Sequence, residues 1–146
     1  MPNRMGLEAW AALLRAHATL MRRLEADLAE ATGLALADFD VLAQLAQAGG
    51  ELRMAELADR ALISRSCMTR RVARLVDEGL VRRANADSDR RGVVVALTDA
   101  GVARLAETAP VHLRAVSEMF VAQLDEEELA LLKSALDKDV ADCTFG

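Results

Sequence analysis

Residues 54–92 read MAELADRALISRSCMTRRVARLVDEGLVRRANADSDRRG, and the order of patterns within that stretch decides the fold. Residues 54–60 have the length of a short helix with Leu57 turned inward. Ala61, Leu62 and Ile63 make a turn, and Ser64 is a residue type that caps helix starts by accepting a backbone N–H. Beyond it Met68, Val72, Leu75 and Gly79 recur at helical spacing on one face. The opposite face carries Ser66, Arg70, Ala73, Arg74 and Asp77, flanked by Thr69 and Cys67. Residues 80–84 and 92–97 then read as strands, the second rich in β-branched side chains, with the turn-forming NADSDRR between them.

Two short helices across a tight turn, followed at once by an arginine-tipped hairpin, predict a winged helix-turn-helix. That architecture places one helix in the major groove of duplex DNA and a loop beside it. Charge supports the reading. Between Arg60 and Arg91 there are nine arginines against four acids, whereas the rest of the chain holds nine basic against nineteen acidic residues. The net charge of −5 therefore conceals a basic patch, and a phosphate responds to that patch because charges beyond about 10 Å are largely screened. Arginine outnumbers lysine 16 to two. Its planar guanidinium grips two acceptors of guanine or phosphate at once and enters a narrow minor groove favourably.

Composition excludes several other classes. The chain has 146 residues, 53% of them hydrophobic, yet no apolar run approaches the roughly 20 residues of a membrane span. The opening MPNRMGLEAW lacks the apolar segment of a signal peptide, and Cys67 and Cys143 form neither a CxxC nor a disulfide framework. The expectation is a single domain over 1–146 working in the cytoplasm, with no membrane partner. Only His17 and His112 are present, without an HExxH, a Gly-rich phosphate loop or a Cys/His cluster, so no catalytic residue, metal site or cofactor is expected.

The flanking segments read as helices. Leu7, Trp10, Leu13, Leu14, His17, Leu20, Met21, Leu24 and Leu28 form one long stripe that needs a partner, and Gly33 ends it. Residues 37–47 predict a second helix with Phe39, Leu42 and Leu45 inward; residues 51–53 are a short strand or extended link. A long helix begins after Thr98 and runs to about Ala122, with a kink or break expected near Ala109 because Pro110 follows. Asp125 and Glu128 pair as a capping box for the last helix, Leu124 and Leu129 occupy its staple positions, and Leu129, Leu132 and Leu136 continue its stripe.

Over nearly its whole length the chain resembles the MarR family of bacterial transcriptional regulators. LADRALISRSCMTRRVARLVDEGLV is similar to that family's helix-turn-helix, with Ser64, Ser66, Thr69, Arg70 and Gly79 at matching places. DRRG followed by VVVALTDAG is similar to its wing: an Asp-x-Arg at Asp89 and Arg91, a strand, and Leu-Thr-x-x-Gly before the fifth helix. The resemblance implies a mainly α fold with a β-hairpin wing and an obligate homodimer on a pseudo-palindromic operator, commonly released by a ligand or oxidant. Ser64, Ser66, Thr69 and Arg70 would face bases or phosphates in the major groove, and Arg91 the minor groove with Asp89 bracing it. Arg74 from the helical wheel, Arg90 at the hairpin tip and Arg65 at the helix start complete the expected contacts. Cys67 replaces a small hydroxyl residue common in the family, and Arg71 an apolar one.

A DNA-binding lobe over 37–98 leaves 5–31 and 99–142 as dimerisation helices, since the stripes of the first, fifth and sixth helices exceed what a three-helix core can cover. Half-sites about 34 Å apart then let a small domain gain affinity by pairing. Trp10, His17, Phe39 and His112 suit a mostly apolar cleft for a small aromatic or weakly acidic effector acting on a repressor. Two other readings stand beside this one. Cys67, near an arginine-rich helix start, suits a thiol-based redox sensor of the same fold; the apolar stripes alone suit a helical protein-interaction module without DNA binding.

Overall fold

Leu42, Leu45, Leu57, Met68, Val72 and Leu75, all drawn from three short amphipathic helices, are fully buried and set the centre of the fold. The computed structural model describes residues 1–86 and 89–141, with only the backbone described at 86, 89–91 and 139–141. In order the elements are α1 (Arg4–Thr32), α2 (Leu36–Gln47), β1 (Glu51–Arg53), α3 (Met54–Ala61), α4 (Arg65–Asp77), β2 (Val81–Ala86), β3 (Asp89–Leu97), α5 (Asp99–Met119), a 3₁₀ turn (Val121–Gln123) and α6 (Glu126–Ala141). The fold is mainly helical with a three-stranded antiparallel sheet in the order β1-β3-β2. No helix among the described residues is long and apolar enough to cross a membrane.

The residues fall into two compact units, Glu25–His112 and a second made of Met1–Leu24 with the chain from Leu113 onward. The first contains the winged helix-turn-helix elements together with the end of α1 and the start of α5: Leu28 and Thr108 are buried, and Arg104 Nη2 donates to the Thr32 carbonyl. β3 is central because its β-branched run pairs on both edges, Leu52 opposite Val95 on one side and Arg83 opposite Val95 on the other. A register shift at Asn85/Ala86 follows on the tip side, and the strands reach further towards the tip than 80–84 and 92–97.

The Leu-Thr-x-x-Gly segment has a mechanical role. Thr98 Oγ1 accepts the Gly101 N–H at 3.0 Å, capping α5, and donates to the Gly79 carbonyl at 2.6 Å; the Thr98 N–H reaches the Leu80 carbonyl. A Cβ on Gly101 would overlap that same Leu80 carbonyl oxygen, so only glycine lets the first turn of α5 sit there. Gly79 lies after α4 rather than on its buried face. With φ at +78° it is the left-handed residue that closes the helix, donating to the Val76 carbonyl.

α5 runs unbroken through Pro110 and ends at Met119, short of Ala122, where the 3₁₀ turn takes over. The expected break is absent. The proline removes only one N–H of the ladder, and buried Thr108 anchors the preceding turn by donating to the Arg104 and Leu105 carbonyls. In the second unit the capping box forms reciprocally, Glu128 N–H to Asp125 Oδ1 at 2.8 Å and Asp125 N–H to Glu128 Oε1 at 3.0 Å. Leu7, Trp10, Leu13, Leu14 and Met21 remain exposed along α1, as do Leu113 on α5 and Leu131 on α6.

Candidate nucleic-acid interface

α4 starts where Ser64 Oγ accepts the Cys67 N–H at 3.1 Å, so the predicted cap forms. Ser64 Oγ also shares a hydrogen bond with Ser66 Oγ at 3.2 Å, in which either hydroxyl can donate. Thr69 donates to the Arg65 carbonyl at 2.8 Å, which fixes its rotamer and leaves its oxygen lone pairs as acceptors. With Met68, Val72 and Leu75 buried, Ser66, Arg70 and Arg74 are exposed on the opposite side of α4, and Ser64, Arg65 and Thr69 are exposed at its first turns. α3 supports this helix from behind: Leu57 and Ala58 are buried, and the Ile63 N–H returns to the Ala58 carbonyl across the turn. Cys67 is a free, half-buried thiol one turn into α4.

Of the wing contacts, the side chains of Asp89, Arg90 and Arg91 lie outside the described residues; their backbone belongs to β3. A cleft of about 370 Å³ opens between the start of α3, the first turn of α4 and β3, lined by Arg53, Met54, Arg65, Thr69, Gly92 and Val93. Two guanidinium groups beside a mixed polar and apolar floor form a surface suited to a phosphodiester strand.

Asp38, Arg71 and Arg53 lie outside the set of sequence-derived candidates. Asp38 Oδ1 is 3.9 Å from Arg71 Nε and 3.7 Å from Arg74 Nη2. The signal was present: Asp38 stands four residues before Leu42, and Arg71 stands three after Met68 and four before Leu75, so both charges occupy buried stripes. Charges at such positions are almost always paired.

Of the expected effector residues, Phe39 and His112 belong to the first unit and Trp10 and His17 to the second. Phe39 and His112 meet with ring centroids 4.7 Å apart and planes tilted by 43°. His17 lines a groove of about 220 Å³ with Leu20, Met21, Leu24, Val116, Met119 and Phe120; Trp10 is 58% exposed on α1 and is not part of that lining. Among the described residues no group of three or more His, Cys, Asp or Glu could hold a metal ion.

Burial pushes His112 below the ordinary histidine pKa of 6.5, against an opposing pull from the Asp40 carboxylate. Its Nδ1 is buried without a hydrogen-bond partner. A base whose pKa is lower folded than unfolded binds fewer protons when folded. The stability tied to its neutral form is therefore complete above about pH 6.5 and is lost as acid carries the pH down toward the folded value. Thermal melts from pH 7.5 to 5 should show a decline in wild type that is shallower in His112→Phe; parallel declines would remove His112 as its source.

The family profile described as MarR family matches residues 32–92, from the end of α1 into the wing. AbsC, a MarR family transcriptional regulator from Streptomyces coelicolor, is 32% identical with a TM-score of 0.88, covering 97% of this chain and 95% of its own. Sco3205, a MarR family regulator from the same organism solved in complex with DNA, is 31% identical with a TM-score of 0.92, covering 99% and 94%. The HTH-type transcriptional regulator PecS of Dickeya dadantii is 29% identical over 107 residues, 72% of this chain. The aligned stretch spans 64% of PecS.

Proposed function

This chain belongs to the MarR family of transcriptional regulators, and on that premise we propose that it binds a pseudo-palindromic operator as a homodimeric, ligand-released repressor. It is a regulator and not an enzyme. The observation that carries the proposal is the outward face of α4, where Ser66, Thr69 and Arg70 stand exposed over a fully buried Met68–Val72–Leu75 face. A neighbour of the same fold at 31% identity was solved on DNA, which supports docking this helix in a major groove.

In this reading Arg70 reads base edges, while Ser64, Arg65 and Arg74 hold phosphates. At the wing Arg91 enters the minor groove, braced by Asp89, with Arg90 on the backbone. Residues 37–98 form the DNA-binding lobe, and 5–31 with 99–142 supply the dimer contacts. The effector is a small aromatic or weakly acidic molecule seated against His17 or against the Phe39–His112 pair; both offer apolar walls with one imidazole. The site of action is the cytoplasm, where duplex DNA is available.

Substitution separates the roles. Arg70→Ala should cost about 1–3 kcal/mol on operator DNA and relax sequence preference, whereas Arg74→Ala should weaken every duplex alike and lower the salt slope by about one unit. Arg91→Ala should cost about 1–3 kcal/mol on operator while the fold stays intact. Fluorescence anisotropy against operator and scrambled duplexes at several salt concentrations checks all three. Equal losses on both duplexes for Arg70→Ala would remove it as a base reader.

A further inference from the structure

Asp38 lies in the first turn of α2, 7% exposed, and neither its Oδ1 nor Arg71 Nε has a hydrogen-bond partner. A carboxylate so far from water is costly unless opposite charge holds it, and here two guanidinium groups do, at 3.9 and 3.7 Å. The two arginines differ. The Arg71 side chain is 20% exposed and supplies the buried counter-charge; that of Arg74 is 64% exposed and keeps an edge toward solvent on the face that carries Ser66 and Arg70.

We propose that Asp38 is a positioning residue for DNA binding: from α2 its charge draws the Arg74 guanidinium into place, so that the solvent-facing N–H groups meet a phosphate with less further ordering. The inference rests on the reading of α4 as the DNA-contacting helix. An arginine free to sample its rotamers loses that freedom on binding, and holding it in advance changes affinity by a factor of about three to ten. Asp38 also brings a negative charge near the phosphates, so its removal acts in two opposite directions. Only the part that passes through Arg74 reports positioning.

A double-mutant cycle isolates that part. Asp38→Asn, Arg74→Ala and the pair are titrated against the genomic duplex most enriched by the wild-type protein, and against a scrambled duplex. Asp38→Asn should weaken both by about three- to tenfold when Arg74 is present and should not weaken either in the Arg74→Ala background. Asp38→Glu, which keeps the charge, should recover part of the loss. Equal losses in both backgrounds would assign Asp38 a merely structural role, and tighter binding in both would make it a counter-charge against DNA; either overturns the proposal.

Should Asp38→Asn alone unfold, because Arg71 is left as an uncompensated, half-buried cation, the cycle is run with Arg71→Met in every protein. The same coupling is expected. Failure of the wild-type protein to bind any duplex would overturn the DNA reading itself and this inference with it, and that failure is visible before any variant is made.

Discussion

Leu14→Asp is expected to split the proposed homodimer into monomers and to lower operator affinity at least about a hundredfold. Leu7, Trp10, Leu14, His17 and Met21 follow one another at alternating spacings of three and four residues along α1, the pattern of a helix face that packs against another helix. On the single chain that face is open, with Leu14 50% exposed. Burying a leucine is worth about 1.5–3 kcal/mol, and an aspartate in the same place adds an unpaired charge. A two-fold interface contains the substitution twice. Once the subunits part, each half-site binds alone, forfeiting a linkage worth about 10²–10⁴ in affinity. Sedimentation and duplex titration read both effects. A variant that remains dimeric would move the interface off this face.

The other large effect is on the fold. Gly101→Ala should destabilise the protein by about 3 kcal/mol or more, a fall in Tm of about 6–12 °C. The added methyl overlaps a backbone carbonyl, that of Leu80, which cannot swing aside as a side-chain tip would. Moving it breaks the bond to the Thr98 N–H and disturbs the Thr98 hydroxyl that ties α5 to Gly79. The damage falls where the wing strand passes into α5, so DNA binding should fall together with stability. A melt unchanged within 1 °C would show that the first turn of α5 can shift without cost.

These two positions also mark how far the sequence could be read. The stripe on α1 was legible as apolar periodicity, and Ser64 as a cap, because both depend on spacing along one helix. Gly101 was legible only as part of a motif, since its reason is a carbonyl twenty-one residues away that no local pattern reports. Gly79 was assigned to the buried face of α4 because helical spacing continues past the helix end; its left-handed backbone shows that the chain has already turned. Pro110 was weighted as a breaker from its local chemistry, whereas the helix carries on with Thr108 securing the turn before it.

The candidate site divides the same way. Exposed residues of α4 follow from a helical wheel once the buried face is known. Asp38 and Arg71 each stand at a position of a buried stripe, which marks them as charges in need of a partner, but which charge meets which is fixed only once α2 and α4 are brought together. Trp10, His17, Phe39 and His112 were grouped by chemical type. Phe39 meets His112 within one unit, and His17 lines a groove within the other; each of these contacts depends on tertiary packing that no local pattern reports.

The most direct test of specific DNA recognition by a dimer is titration of the wild-type protein. The genomic duplex that it enriches most is compared with a scrambled duplex of equal length at 50–200 mM salt (roughly the range over which phosphate contacts dominate). The account requires two chains per duplex, preference for the enriched sequence by a factor of about 10³ or more, and affinity falling linearly with the logarithm of salt concentration. Equal affinity for both duplexes, or one chain per duplex at full sequence preference, would contradict it.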